Sequence, residues 1–176
     1  HTATRASAWI QENIRPGAII LAEHWDERVP NLSGYEFVVL PMYEVDTIRK
    51  TEDLARKLRA GDYLVFFSNR LYGTIPRLPD RYPMSSVYYQ SLFEGKLGYQ
   101  VVHSESAYPN FLGVSFEHDT FGRPKLAVPT GLESPDAFGY SLNLGYADES
   151  FTVYDHPKII IFENVERLTQ DTLLDV

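Results

Sequence analysis

RASAWIQENIRPGAIILAE, from Arg5 to Glu23, is the stretch that decides the fold class of this chain. Ala6, Trp9, Ile10 and Ile14 fall on one face at helical spacing, and Pro16-Gly17 stops the helix. Ala18-Ile19-Ile20-Leu21-Ala22 then runs apolar without alternation, the pattern of a strand buried on both faces. A helix therefore feeds an interior strand.

The same alternation continues outward. A polar stretch from Glu23 to Gly34 leads to a second strand at about Phe37 to Leu40. From Asp46 or Thr51 a helix is expected, with Leu54 and Leu58 on its apolar side and Glu52/Arg56 and Asp53/Lys57 paired at i,i+4; Gly61 closes it. Tyr63 to Phe67 is a third strand, Ser85 to Gly95 a helix, and Gly98 to Glu105 a fourth strand. Phe111 to Phe116 and Lys158 to Phe162 are further strands, and Asn164 is placed to cap a last helix through Leu174. His118 to Ser150, rich in Gly, Pro and acidic residues, has no clear period and is expected to be a long loop or mobile insertion. The expectation is one α/β domain: a three-layer Rossmann-like open sheet, mostly parallel, with antiparallel edge additions from the C-terminal third.

Composition narrows the function. The 176 residues suffice for one core and are short for two domains. A net charge of −8, with no basic run longer than Arg49-Lys50, argues against a nucleic-acid partner. The absence of Cys excludes disulfides and thiolate chemistry, and no cofactor or metal is expected. Aromatics at 14% suit packed surfaces, sugars or a membrane interface. The longest apolar runs are strand-sized, which predicts a water-soluble segment. The start at His1-Thr2-Ala3, without an initiator Met, suits a piece of a longer protein. No G-x-G-x-x-G, P-loop, G-x-S-x-G or H-E-x-x-H signature occurs, which disfavours a nucleotide-binding Rossmann domain and an α/β-hydrolase.

The loop after the third strand is the first site candidate, because open α/β sheets bind ligands at the carboxyl ends of their strands. Ser68, Asn69, Arg70, Tyr72, Arg77, Arg81 and Tyr82 there offer guanidinium forks for phosphate or carboxylate and aromatic faces for a sugar or lipid headgroup. The same residues also suit tying down a Pro-rich loop. Tyr154, Asp155 and His156 set a carboxylate beside an imidazole, either for acid/base work or as a capped turn before Pro157. Glu23-His24-Trp25-Asp26 can supply metal ligands or a sugar-stacking Trp, or form an exposed loop with Trp25 folded onto the core. His103 and His118 have no partner at ligand spacing.

Three segments carry a resemblance: Arg5 to Glu23, Asp62 to Tyr82 (DYLVFFSNRLYGTIPRLPDRY) and Phe151 to Phe162 (FTVYDHPKIIIF). They resemble the C-terminal part of bacterial multi-spanning glycosyltransferases of the protein-O-mannosyltransferase-like class and the related hydrophobic YYY membrane proteins. YDHPK before an apolar strand and SNR-x-Y after one are specific in combination. The resemblance implies an enzyme that takes sugar from a polyprenyl-phosphate donor on the extracytoplasmic side of the bacterial membrane. In that class the catalytic acidic residue lies in the first extracytoplasmic loop, so no catalytic residue carries over to this chain. What remains is an accessory domain that binds acceptor or donor headgroup, with the membrane-embedded remainder of the same polypeptide as its partner. Two other readings stay open: a scaffold or protein-interaction domain, and a hydrolase or metal-dependent lyase using Asp155/His156, with Glu23 or His24.

Overall fold

The computed structural model describes residues 2–132 and 140–176. In chain order they form α1 (Thr2–Asn13), β1 (Ile19–Glu23), β2 (Glu36–Leu40), α2 (Ile48–Ala60), β3 (Tyr63–Phe66) and α3 (Pro83–Phe93). Next come β4 (Tyr99–Glu105), β5 (Asn110–Phe111), β6 (Val114–Glu117) and β7 (Tyr140–Asn143). A π-helical turn (Ser150–Asp155), β8 (Ile159–Asn164) and α4 (Gln170–Leu174) complete them. The architecture is mixed α/β, with a five-stranded sheet in the order β2-β1-β3-β8-β4 and a three-stranded sheet in the order β5-β6-β7.

The expected sheet is corrected in one respect. β1 pairs in parallel with β2 and β3, but β8 pairs antiparallel with both β3 and β4. The C-terminal strand is thus interior, and β4 forms the edge. Its composition explains this: Ile159, Ile160 and Ile161 are fully buried and Phe162 nearly so. Such a run is stable only with both faces covered.

The two faces carry separate apolar clusters. Ile20, Val65, Phe67, Ile159 and Ile161 pack with Ala6, Ile10 and Ile14 of α1. Leu21, Leu64, Phe66, Ile160 and Phe162 pack with Leu54 and Leu58 of α2 and with Tyr89, Leu92 and Phe93 of α3. The strict alternation of the two sets follows from the two-residue period of a strand.

α2 begins one turn earlier than Thr51, because the Thr47 side chain accepts the Lys50 N–H. Gly61 ends it, though not in a left-handed cap: its φ is −67°. Glycine is needed because a Cβ there would lie 2.6 Å from Leu21 Cγ. The last carbonyls of α2 are met by Tyr99 Oη, which donates to Leu58 O at 2.7 Å, and by Asn164 Nδ2, which donates to Gly61 O at 2.9 Å. Asn164 therefore stays in β8, and α4 starts only at Gln170, capped by Thr169.

The expected strand at Phe111 to Phe116 is a hairpin split by Leu112 and Gly113, both at positive φ. Within 118–150, expected to be loop, β7 pairs in parallel with β6. All four β7 residues are exposed, so burial leaves no mark on the segment. Among the described residues no helix is long and apolar enough to cross a membrane.

Gly61→Ala drives a methyl into Leu21. It should lower stability by about 1–3 kcal/mol as overpacking does, read as a fall in the urea midpoint at unchanged slope.

Candidate functional site

The chain goes from β1 to β2 on one side and then to β3 on the other. The carboxyl ends of β1 and β3 thus flank a point where the strand order reverses, the usual place for a ligand crevice in such sheets. The loops leaving those two strands are bound to each other. Asp26 accepts from Ser68 N at 2.9 Å and from Ser68 Oγ at 2.8 Å. Arg70 Nη1 donates to Trp25 O at 2.7 Å.

Arg70 is the centre of this edge. Its Nη2 donates to Tyr154 Oη at 2.6 Å, its guanidinium lies 5.2 Å from the Tyr154 ring centre, and its buried Nε has no hydrogen-bond partner among the described residues. Glu149 Oε1 stands 3.6 Å from that Nε, too far for a hydrogen bond. The SNR segment after β3 and the YDHP segment before β8 therefore meet, because β3 and β8 are antiparallel neighbours. Trp25 (64% exposed, at positive φ) and Tyr154 (60% exposed) are aromatic surfaces open at this edge. Trp25 does not fold onto the core.

The other loop candidates separate. Ser68, Asn69, Tyr72 and Tyr82 are buried, whereas Arg77 and Arg81 are exposed. Arg81 covers the Tyr82 ring from 5.2 Å, a local contact that does not reach Arg70's partners. Tyr72 stacks on Phe121 with ring centres 5.6 Å apart, which makes it a core residue. Asp155 is exposed, and His156 lies against Phe151 at 4.4 Å between ring centres, with no partner for Nδ1 among the described residues. The two do not form a dyad among the described residues. Nor does any group of three or more His, Asp or Glu among those residues have the arrangement of a metal site.

Two features are not given by the linear pattern: the burial of Glu23, named above only as a metal-ligand or acid/base candidate, and the role of Lys50. Glu23, the last residue of β1, is 4% exposed and accepts from Tyr89 Oη at 2.5 Å, while its Oε2 has no partner among the described residues. Burial pushes its carboxyl well above the usual carboxylate range, and the nearby Asp26 adds to the rise. Asp26 is also raised by burial, although its bonds to Ser68 and Glu27 and the charge of Arg70 oppose the shift. The signal for Glu23 was its parity with Leu21, which puts it on the face of α3. The second feature is Lys50, buried and satisfied by Met42 O, Glu44 O, Asp46 Oδ1 and Ser85 Oγ, each at 2.8 Å. It clamps the loop after β2 to the start of α3.

Against protein-family profiles, curated proteins and solved structures, nothing matches this chain.

A carboxyl whose folded pKa is raised stabilises the fold below its unfolded pKa and loses that contribution as pH rises through the folded value. For Glu23 the loss therefore begins above 4.5. Glu23→Gln removes the titration and keeps the Tyr89 bond. Thermal melts from pH 4.5 upward should show the variant gaining on the parent as pH rises; parallel curves would remove the buried-acid assignment.

Proposed function

We propose that this chain is an accessory, extracytoplasmic domain of a bacterial membrane glycosyltransferase that binds acceptor or donor headgroup at the carboxyl edge of β1 and β3 and carries no catalytic residue. We read the apolar clusters on both sheet faces as a three-layer, Rossmann-like arrangement. The observation that carries the functional reading is Arg70. Its guanidinium is held in place by the Trp25 carbonyl and the Tyr154 phenol, lies beside the exposed Tyr154 ring, and has a buried Nε–H with no hydrogen-bond partner among the described residues. A fixed fork of this kind suits a phosphate or carboxylate oxygen, and the rings suit a sugar face.

Two further features support it. The three segments that carry the resemblance lie side by side, since α1, β1, β3 and β8 share one apolar cluster. The small sheet exposes Phe111, Leu112, Tyr140 and Leu142, at 67, 87, 82 and 52%. Apolar surface of that kind is ordinarily covered, and the membrane-embedded remainder of the polypeptide is the proposed cover.

Titration with a water-soluble short-chain isoprenyl-phosphate hexose, followed by tryptophan fluorescence, tests the reading. Saturable binding is expected, and Arg70→Ala should weaken it about tenfold or more, as loss of a charge-assisted hydrogen bond does. Absence of binding to the parent chain would favour a pure scaffold instead.

A further inference from the structure

Two lysines are buried in this fold, and they are treated oppositely. Lys50 has four oxygen acceptors. Lys158, 8% exposed, has among the described residues only Tyr108 Oη, at the long distance of 3.5 Å, and the face of Phe121 at 5.2 Å. An ammonium has three donors to satisfy, and leaving them unmet in the interior is costly. Lys158 lines a pocket of about 170 Å³. His118, 7% exposed, lines it too, and neither of its ring nitrogens has a partner among the described residues. Tyr108 and Phe151 hold that ring edge-on, with centres 5.2 and 5.4 Å away.

The rest of the lining has the opposite character. Glu117, Asp119 and Asn143 stand in the same pocket. Asp119 commits Oδ1 to the N–H groups of Phe121 and Gly122, which leaves its Oδ2 and the Glu117 carboxylate as acceptors for a ligand. Both carboxylates are near enough to favour the charged form of Lys158, yet burial outweighs them and lowers its pKa. Burial likewise lowers that of His118, to about 4. Among the described residues neither carboxylate forms an ion pair with Lys158 or His118, so the opposite charges of the pocket stand apart.

We propose that this pocket binds a small α-amino acid, its carboxylate on Lys158 and His118 and its ammonium on Glu117. A simple anion would satisfy the first pair and be repelled by Glu117 and Asp119; a simple cation would meet Lys158. A zwitterion matches both ends. The volume lies below the roughly 300 Å³ at which drug-sized sites begin, which restricts the ligand to short side chains. The site is separate from Arg70 and does not depend on the glycosyltransferase reading.

The test is titration of the chain with L-alanine, L-serine, acetate, methylamine and D-glucose, followed by amide chemical shifts. Saturable shifts at Glu117, Thr120 and Asn143 are expected with alanine and serine. Lys158→Met should weaken both about tenfold or more. Glu117→Gln, at a half-buried position, should lower affinity for alanine and leave acetate unchanged or tighter. Arg70→Ala should keep the binding, so the two proposals fail separately. No saturable shift with either amino acid, tighter binding of glucose or of acetate, or equal affinity in a folded Lys158→Met chain would each overturn the assignment.

Discussion

Ile159, Ile160, Ile161 and Phe162 cannot lie at the rim of a sheet. Each is at most 1% exposed, and both neighbouring edges of their strand are paired, to β3 and β4. Putting this last strand in the interior has consequences along the whole chain. It reverses one direction in an otherwise parallel sheet, so the segment that enters β8 lies at the end where β3 leaves. The π-helical turn Ser150–Asp155 is thereby brought beside the loop after β3, and Tyr154 reaches Arg70. The same entry carries Lys158 inward against Tyr108 and Phe121. Both candidate sites are products of one hydrophobic requirement.

The buried polar groups sort by how well they are answered. Asp62 accepts from Ile19 N at 2.9 Å and from Arg167 at 2.7 Å, and its carboxyl is held below the usual range despite desolvation. Asp46 is answered by Lys50 and Ser85 and shifts the same way. These are structural ties. Glu23 Oε2, Arg70 Nε, His118 and Lys158 are the contrast, with polar atoms left unmet or barely met at the carboxyl edge and in the neighbouring pocket. Interiors seldom leave such groups without a purpose, since each costs about 1–3 kcal/mol. That asymmetry, more than any motif, is what the two proposed sites rest on.

Much of the fold was legible in the chain because burial writes a periodic pattern. The strands at Ile19 and Tyr63 and the helix at Pro83 fall within a residue or two of expectation, and the first helix begins at Thr2, one turn before Ala6. Strand order did not follow: IIIF reads as buried but cannot say between which neighbours. β7 was missed because its side chains are exposed and unselected by packing. Arg70 and Tyr154 were both picked out, yet their contact spans 84 positions and depends on the β3–β8 pairing. His118 looked ordinary because its partners, Tyr108, Phe151 and Lys158, are scattered in sequence. Gly61 closes α2 as expected, but its cause is a close approach to Leu21 that no local pattern encodes.

The most direct test of the edge as a recognition surface is a crystal structure of the chain soaked with the isoprenyl-phosphate hexose. The expected density has the phosphate on the Arg70 guanidinium and the sugar against Trp25 or Tyr154. Density instead in the apolar groove between α2 and α3, lined by Leu54, Leu58, Met84 and Tyr88, with Arg70 untouched, would contradict it.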